Sequence, residues 1–186
     1  FGIIFRLTDE GDTHGPYMSG VIENCPAGVA IDEGFIRAEL ARRAPSRDAN
    51  STKRREPDVV EFTSGIINNL TTGEPIQFKI PNRDVKVDEA RKYVIKPSHA
   101  SYVYRQKYGA KSNEECGRAS ARQTVCRVVA GAIAKLYLRQ FGITVIAEVL
   151  STGKPSCEGD SFGAKVGCSI CNLPAGLGEP VYNKFS

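Results

Sequence analysis

The sequence predicts an α+β fold in which an antiparallel sheet packs on a layer of helices, and three observations predict it. Short β-type runs recur at residues 2–8, 17–23, 59–64, 76–81, 143–150 and 164–172. Two segments read as helices, residues 32–43 from its start and stop signals and about 121–140 from the helical spacing of its apolar residues. The order, strands then a buried helix then strands, suits layered α+β packing. With 186 residues the chain can hold one domain with a real core, and it is expected to be a single partial domain spanning residues 1–186.

Taken in order, the first helix starts at Asp32, a plausible N-cap, and ends at Arg43, before Pro45. Residues 69–75, Asn-Leu-Thr-Thr-Gly-Glu-Pro, form a turn linking the runs 59–64 and 76–81, which makes that pair antiparallel. The second helix repeats Ala121, Val125, Val128, Val129, Ala132, Ile133 and Leu136 at helical spacing. Ser120 with Gln123 three residues on reads as a capping box, and Gly142 stands just past the C-terminal end. Few polar residues interrupt 128–138, so this helix is expected to be covered on more than one side. In the last run Ala164, Val166, Cys168 and Ile170 alternate with Lys165, Gly167, Ser169 and Cys171, the pattern of a strand buried on one face.

Composition narrows the function classes. Hydrophobic residues at 41% and charged residues at 25% are globular values, and 18 Gly with 10 Pro point to many turns. A net charge of +4 is too weak for bulk nucleic-acid binding, and no stretch approaches the ~20 apolar residues of a membrane helix. Residues 1–10 carry no secretory leader pattern, so the sequons at Asn50 and Asn69 have little weight. The six cysteines show no framework spacing and read as reduced thiols of a cytoplasmic protein. Cys168 and Cys171 form a CxxC, but three positions apart on a strand they face opposite sides, against a shared metal.

Three constellations could carry chemistry. The two histidines both lie in turn-like segments, His14 in Gly11-Asp12-Thr13-His14-Gly15-Pro16 and His99 in Lys96-Pro97-Ser98-His99-Ala100-Ser101. Histidine is the natural proton donor near neutral pH, and the two could converge in one pocket. Arg118 and Arg122 surround a helix N-terminus, where the macrodipole disfavours positive charge. Either an anion relieves that conflict, or Glu114 and Glu115 pair with these arginines on a solvated surface. Residues 42–55 carry Arg42, Arg43, Arg47, Lys53, Arg54 and Arg55, either a solvated loop or a clamp for a phosphorylated ligand. Together these features point to a small phosphorylated anion.

The order of motifs adds a family. Phe5-Arg6-Leu7-Thr8 and Gly11-Asp12-Thr13-His14-Gly15-Pro16 come first, then Cys25-Pro26-Ala27-Gly28, Arg54-Arg55-Glu56-Pro57-Asp58, Ser64-Gly65 and Thr71-Thr72-Gly73. Pro97-Ser98-His99-Ala100, Lys107-Tyr108-Gly109, Arg118-Ala119-Ser120-Ala121-Arg122 and Pro174-Ala175-Gly176-Leu177-Gly178-Glu179-Pro180 follow. This collinear series resembles the N-terminal half of chorismate synthases, in a shortened and divergent form. The resemblance implies one half of the chorismate synthase sandwich, a helical layer between antiparallel sheets, assembled as a homo-oligomer, usually a tetramer. It also implies the last step of the shikimate pathway, 1,4-anti elimination of phosphate from 5-enolpyruvylshikimate 3-phosphate to give chorismate. The cofactor implied is reduced FMN, with NADP as an associated nucleotide. By position His14 matches the acid for the departing phosphate and His99 the acid for the reduced flavin. Arg118, Ala119 and Ser120 match the flavin-binding stretch, and Thr13, Arg43, Arg47 and Arg122 the substrate-binding positions.

Departures from the pattern bear on activity. Ala44 stands where a third arginine is usual, Ala49 where a further one is expected, Ala119 where the flavin motif has Ser, and Ser101 where an Asp follows the second histidine. Ser112-Asn113-Glu114-Glu115-Cys116 replaces a Gly-rich stretch, and a helical segment expected between Thr152 and Gly159 is nearly missing. The site is therefore expected to be incomplete and the chain alone inactive. A phosphate- or flavin-binding module, or an oligomerising remnant, is the alternative.

Overall fold

A computed structural model describes residues 2–45, 56–83, 85, 92–95, 97, 99–111, 114–153 and 163–173, in two units, residues 1–136 and 137–186. In chain order the elements are β1 (Arg6–Gly11), β2 (Tyr17–Glu23), α1 (Glu33–Arg43), β3 (Glu61–Ser64), β4 (Ile66–Ile67), β5 (Leu70–Thr71) and β6 (Ile76–Pro81). They continue with α2 (Ser101–Tyr108), two 3₁₀ turns at Glu114–Ala119 and Ala121–Gln123, α3 (Thr124–Arg139), β7 (Thr144–Gly153) and β8 (Gly163–Cys171).

Strict alternation builds the sheet of the first unit. Met18, Gly20 and Ile22 on β2, and Ile76, Phe78 and Ile80 on β6, are buried while their neighbours are not. The strands lie in the order β1-β2-β6-β3, all antiparallel, with Met18 opposite Ile80 and Ile22 opposite Ile76. Gly20 leaves room for the Phe78 ring, since a Cβ there would stand 2.5 Å from it. The first strand runs from Arg6 to Gly11, later than the expected 2–8. Its bounds follow the ladder Arg6↔Glu23 to Gly11↔Met18, which holds polar Asp9 and Glu10 in extended form whatever their propensity.

Asp32 caps α1 as expected, its carboxylate accepting from Phe35 N at 2.9 Å, and the helix stops at Ala44, before Pro45. The link between β3 and β6 differs from the expected turn. A small β4–β5 hairpin intervenes, its two-residue turn made by Asn68 (φ 50°) and Asn69 (φ 60°). Adjacent asparagines tolerate the left-handed conformation that such turns require. The 3₁₀ turn before α3 replaces the expected capping box. Ser120 Oγ accepts from Arg122 N, and the Gln123 amide reaches out to Gly11 O. Val125, Cys126, Val129, Ala132, Ile133 and Leu136 of α3 are buried, and Cys126 Sγ donates to Ser19 O of β2. Arg127 and Gly131 are exposed and Val128 and Ala134 half-buried, so one broad face of α3 is covered rather than several.

In the second unit, α3 ends with Gly142 at φ 73° and Ile143 N donating to Leu138 O, as the glycine predicts. β7 and β8 form an antiparallel ribbon with a bulge near Leu150. Val145, Ala147 and Val149 stand opposite Ile170, Cys168 and Val166, one apolar face. That face is not buried: Val149 is 63% and Val166 59% exposed. The alternation expected for 164–172 is present, but among the described residues nothing covers it.

Candidate functional site

Asp58 lies between two arginines. Its Oδ2 pairs with Arg43 Nη2 at 2.7 Å, where α1 ends, and its Oδ1 with Arg122 Nη1 from the 3₁₀ turn before α3. The carboxylate and the Arg122 side chain are each 4% exposed. Two cations on one carboxylate leave a formal excess of one positive charge in a dry setting, where an unbalanced charge is costly. Among the described residues, Arg122 Nη2 and Arg43 Nε are buried donors without hydrogen-bond partners. Both features suit an anion.

Arg122 also donates from Nε to Asn82 Oδ1 at 3.1 Å. The Asn82 amide in turn donates from Nδ2 to Gly15 O at 2.8 Å and to Asp12 O at 3.0 Å. Those two carbonyls flank His14. The loop is held from other sides too, Asp12 Oδ1 accepting from His14 N at 2.7 Å and Thr13 Oγ1 donating to Gly117 O at 2.9 Å. Gly117 leaves room for the Asp12 carboxylate, since a Cβ would stand 1.9 Å from Asp12 Oδ1 and displace it. His14 is therefore fixed at its backbone while its ring stays half-exposed, a setting that suits proton transfer to a bound group.

The predicted residues divide. Arg43, Arg122 and the His14 loop are drawn into one hydrogen-bonded network. Thr13 belongs to the same loop but is buried with its hydroxyl on a backbone carbonyl. Arg118 bonds to Asp9 Oδ1 and to the carbonyls of Asp9 and Gly11. The described ion pairs of Arg118 and Arg122 are thus to Asp9 and Asp58, while the side chains of Glu114 and Glu115 lie outside the described residues. His99 is exposed just before α2, and the network does not include it among the described residues. Arg47, Cys157 and the 174–180 motif lie outside the described residues.

Asp58 and Asn82 carry the network, although their place in the sequence names no role for them. Glu-Pro-Asp and a strand-ending Pro-Asn are their only local signals. Cys126, one turn beyond Arg122, is no nucleophile. Burial, then the Asp9 charge, push its thiol up to about 12 against the smaller pull of the arginines.

The family model for chorismate synthase matches residues 5–158 of the chain. The chain belongs to the chorismate synthase family. Chorismate synthase of Phocaeicola vulgatus is 40% identical over 224 residues, covering 100% of this chain and 63% of the relative. That of Parabacteroides distasonis is 39% identical with the same coverage. The aligned span exceeds the 186 residues here, so the relatives carry internal segments this chain lacks. A chorismate synthase crystal structure superposes with a TM-score of 0.63 at 30% identity, over 84% of this chain and 40% of that one, which agrees with the α+β fold.

The chorismate synthase resemblance implies reduced FMN at Arg118, Ala119 and Ser120, where the Arg118 side chain is 47% exposed and the Ser120 hydroxyl keeps its own proton to donate. The Arg118 fork is engaged by Asp9 and Gly11, Ser120 Oγ accepts from Arg122 N, and Ala119 has no side-chain donor. Among the described residues, two of the three buried donors without partners are on the substrate-position arginines Arg43 and Arg122, the third being Arg105 Nε.

Proposed function

We propose that this chain carries the phosphate-binding and proton-donating part of a chorismate synthase site. The reaction is that of the family, 1,4-anti elimination of phosphate from 5-enolpyruvylshikimate 3-phosphate to chorismate, in which the resemblance assigns reduced FMN. The reading rests on one observation, the Arg43–Asp58–Arg122 cluster with its positive excess and two unpartnered buried donors. The substrate phosphate would be held by Arg43 and Arg122, with Arg47 and Thr13 assigned by position. His14, beside it on the tethered loop, would protonate the departing phosphate; His99 is the second acid by position. By resemblance Arg118, Ala119 and Ser120 are the flavin positions of a site expected to be incomplete in these 186 residues, which alone are expected to bind the substrate without turnover. The reading takes residues 1–186 as a single partial domain, cytoplasmic, acting on a small phosphorylated substrate and not on nucleic acid or membrane.

Titration calorimetry with 5-enolpyruvylshikimate 3-phosphate tests the binding, expected below millimolar concentration; no heat in that range removes the anion site. Chorismate formed by the purified chain with reduced FMN would overturn the expected inactivity.

A second reading is favoured by the uncovered apolar face of β7 and β8. It is that copies of the chain assemble through surfaces of this kind, as the family's oligomers suggest.

A further inference from the structure

We infer that Asn82 is a positioning residue that transmits the state of the anion-binding Arg122 to the loop bearing His14; this rests on the reading of Arg122 and His14 given above. The geometry leaves the amide one orientation. Its carbonyl oxygen accepts from Arg122 Nε at 3.1 Å, and its NH₂ group donates to both carbonyls that flank His14, at 2.8 and 3.0 Å. An amide turned over would set NH₂ against a guanidinium and oxygen against two carbonyls, losing all three bonds. Asn82 sits directly after β6, whose pairing with β2 places Pro81 opposite Tyr17, and Asn82 N donates to Pro16 O at 2.9 Å. The sheet thus fixes the backbone from which the amide reaches both partners.

Arg122 has three nitrogens in its fork. Nε is held by Asn82, Nη1 by Asp58, and Nη2 is buried without a partner. An anion taken at Nη2 must pull on a guanidinium whose adjoining Nε edge is bonded to Asn82. A planar, rigid fork passes such a pull to its other bonds. The only side chain joining that edge to the carbonyls beside His14, among the described bonds, is Asn82. Binding of phosphate and placement of the acid that would protonate it are therefore one mechanical event.

The chain has two histidines, so the imidazole C–H resonances of His14 and His99 can be followed individually in the full 186-residue chain. Inorganic phosphate is expected to move the His14 signal and leave His99 still, and Asn82→Ala is expected to abolish most of the His14 displacement. Asn82→Asp keeps the size and the Arg122 acceptor but loses both donors, and should behave like Asn82→Ala. An unchanged His14 response in both variants overturns the inference.

Arg122→Lys gives a second route that needs no ligand, since it keeps the charge and removes the Nε bond. It should shift His14 in the Asn82 background and add nothing in the Asn82→Ala background. No shift of His14 in Arg122→Lys alone also overturns the inference, whether or not the Asn82 variants fold. If phosphate is silent while the Arg122–Asn82 coupling is present, the anion reading fails and the Asn82 link stands.

Discussion

Asp58 adopts φ 46°, a left-handed conformation unusual for a residue other than glycine, and it does so while buried. Such a conformation persists when the surroundings over-determine it, and here two arginines hold the carboxylate from opposite elements. Removing the carboxylate leaves two guanidinium groups facing each other in a dry site. Asp58→Ala should therefore lose about 3 kcal/mol, the range for breaking a buried ion pair. Urea unfolding measures it, and phosphate in the buffer should restore part of the loss by taking the carboxylate's place. A loss below 1 kcal/mol would show that the pair is solvated. At this scale Arg43, Arg122 and His14 are legible from sequence because their types name their chemistry. Asp58 and Asn82 are not, because each acts through a partner far along the chain: Arg122 lies 64 residues from Asp58 and 40 from Asn82.

Helices α1 and α3 are joined at their outer edges by Lys135 Nζ and Glu39 Oε2, 2.8 Å apart. Burial pushes the Glu39 carboxyl up, but the Lys135 hydrogen bond and charge, then those of Arg42, outweigh it and hold the carboxyl below its usual range. A carboxyl lowered in the folded state stabilises the fold above its unfolded-state value and loses that contribution as pH falls through the folded one. Wild type should exceed Glu39→Gln by about 0.5 kcal/mol at pH 7, a partly exposed pair contributing little. The gap should close as pH falls from about 5 toward 3. Thermal unfolding of both proteins across that range checks it; a gap independent of pH would assign the effect to packing.

Whole-element legibility followed burial. The helix at 121–140 and the strands at 17–23 and 76–81 were readable because each buries one face. Helix α2 (Ser101–Tyr108) was not, since only Ser101 is buried and its apolar residues point to no single side. Gly109, left-handed at φ 67° and bonded to Arg105 O, was its one available signal.

Over the molecule, the chain spans 63% of the length of the P. vulgatus relative, and among the described residues an apolar ribbon of two strands lies uncovered. Two strands are marginal in water without something on their apolar face. The purified chain is therefore expected to sediment as a species larger than one copy, with Val149→Lys and Val166→Lys together reducing it to a monomer. A well-behaved wild-type monomer would remove the assembly reading. No helix among the described residues is long and apolar enough to cross a membrane.

By itself the sequence determined the α+β class, the family and the residue types of the proposed anion site. Those properties reside in local alternation, helical spacing and the order of short motifs, all of which survive without knowing what touches what. Only the tertiary structure decided that Asp58 joins Arg43 to Arg122, that Asn82 joins Arg122 to the His14 loop, and that Arg118 is engaged by Asp9. Hydrogen bonds between residues dozens of positions apart depend on strand pairing and helix docking. Periodicity, which reports each segment's own two sides, holds no record of them.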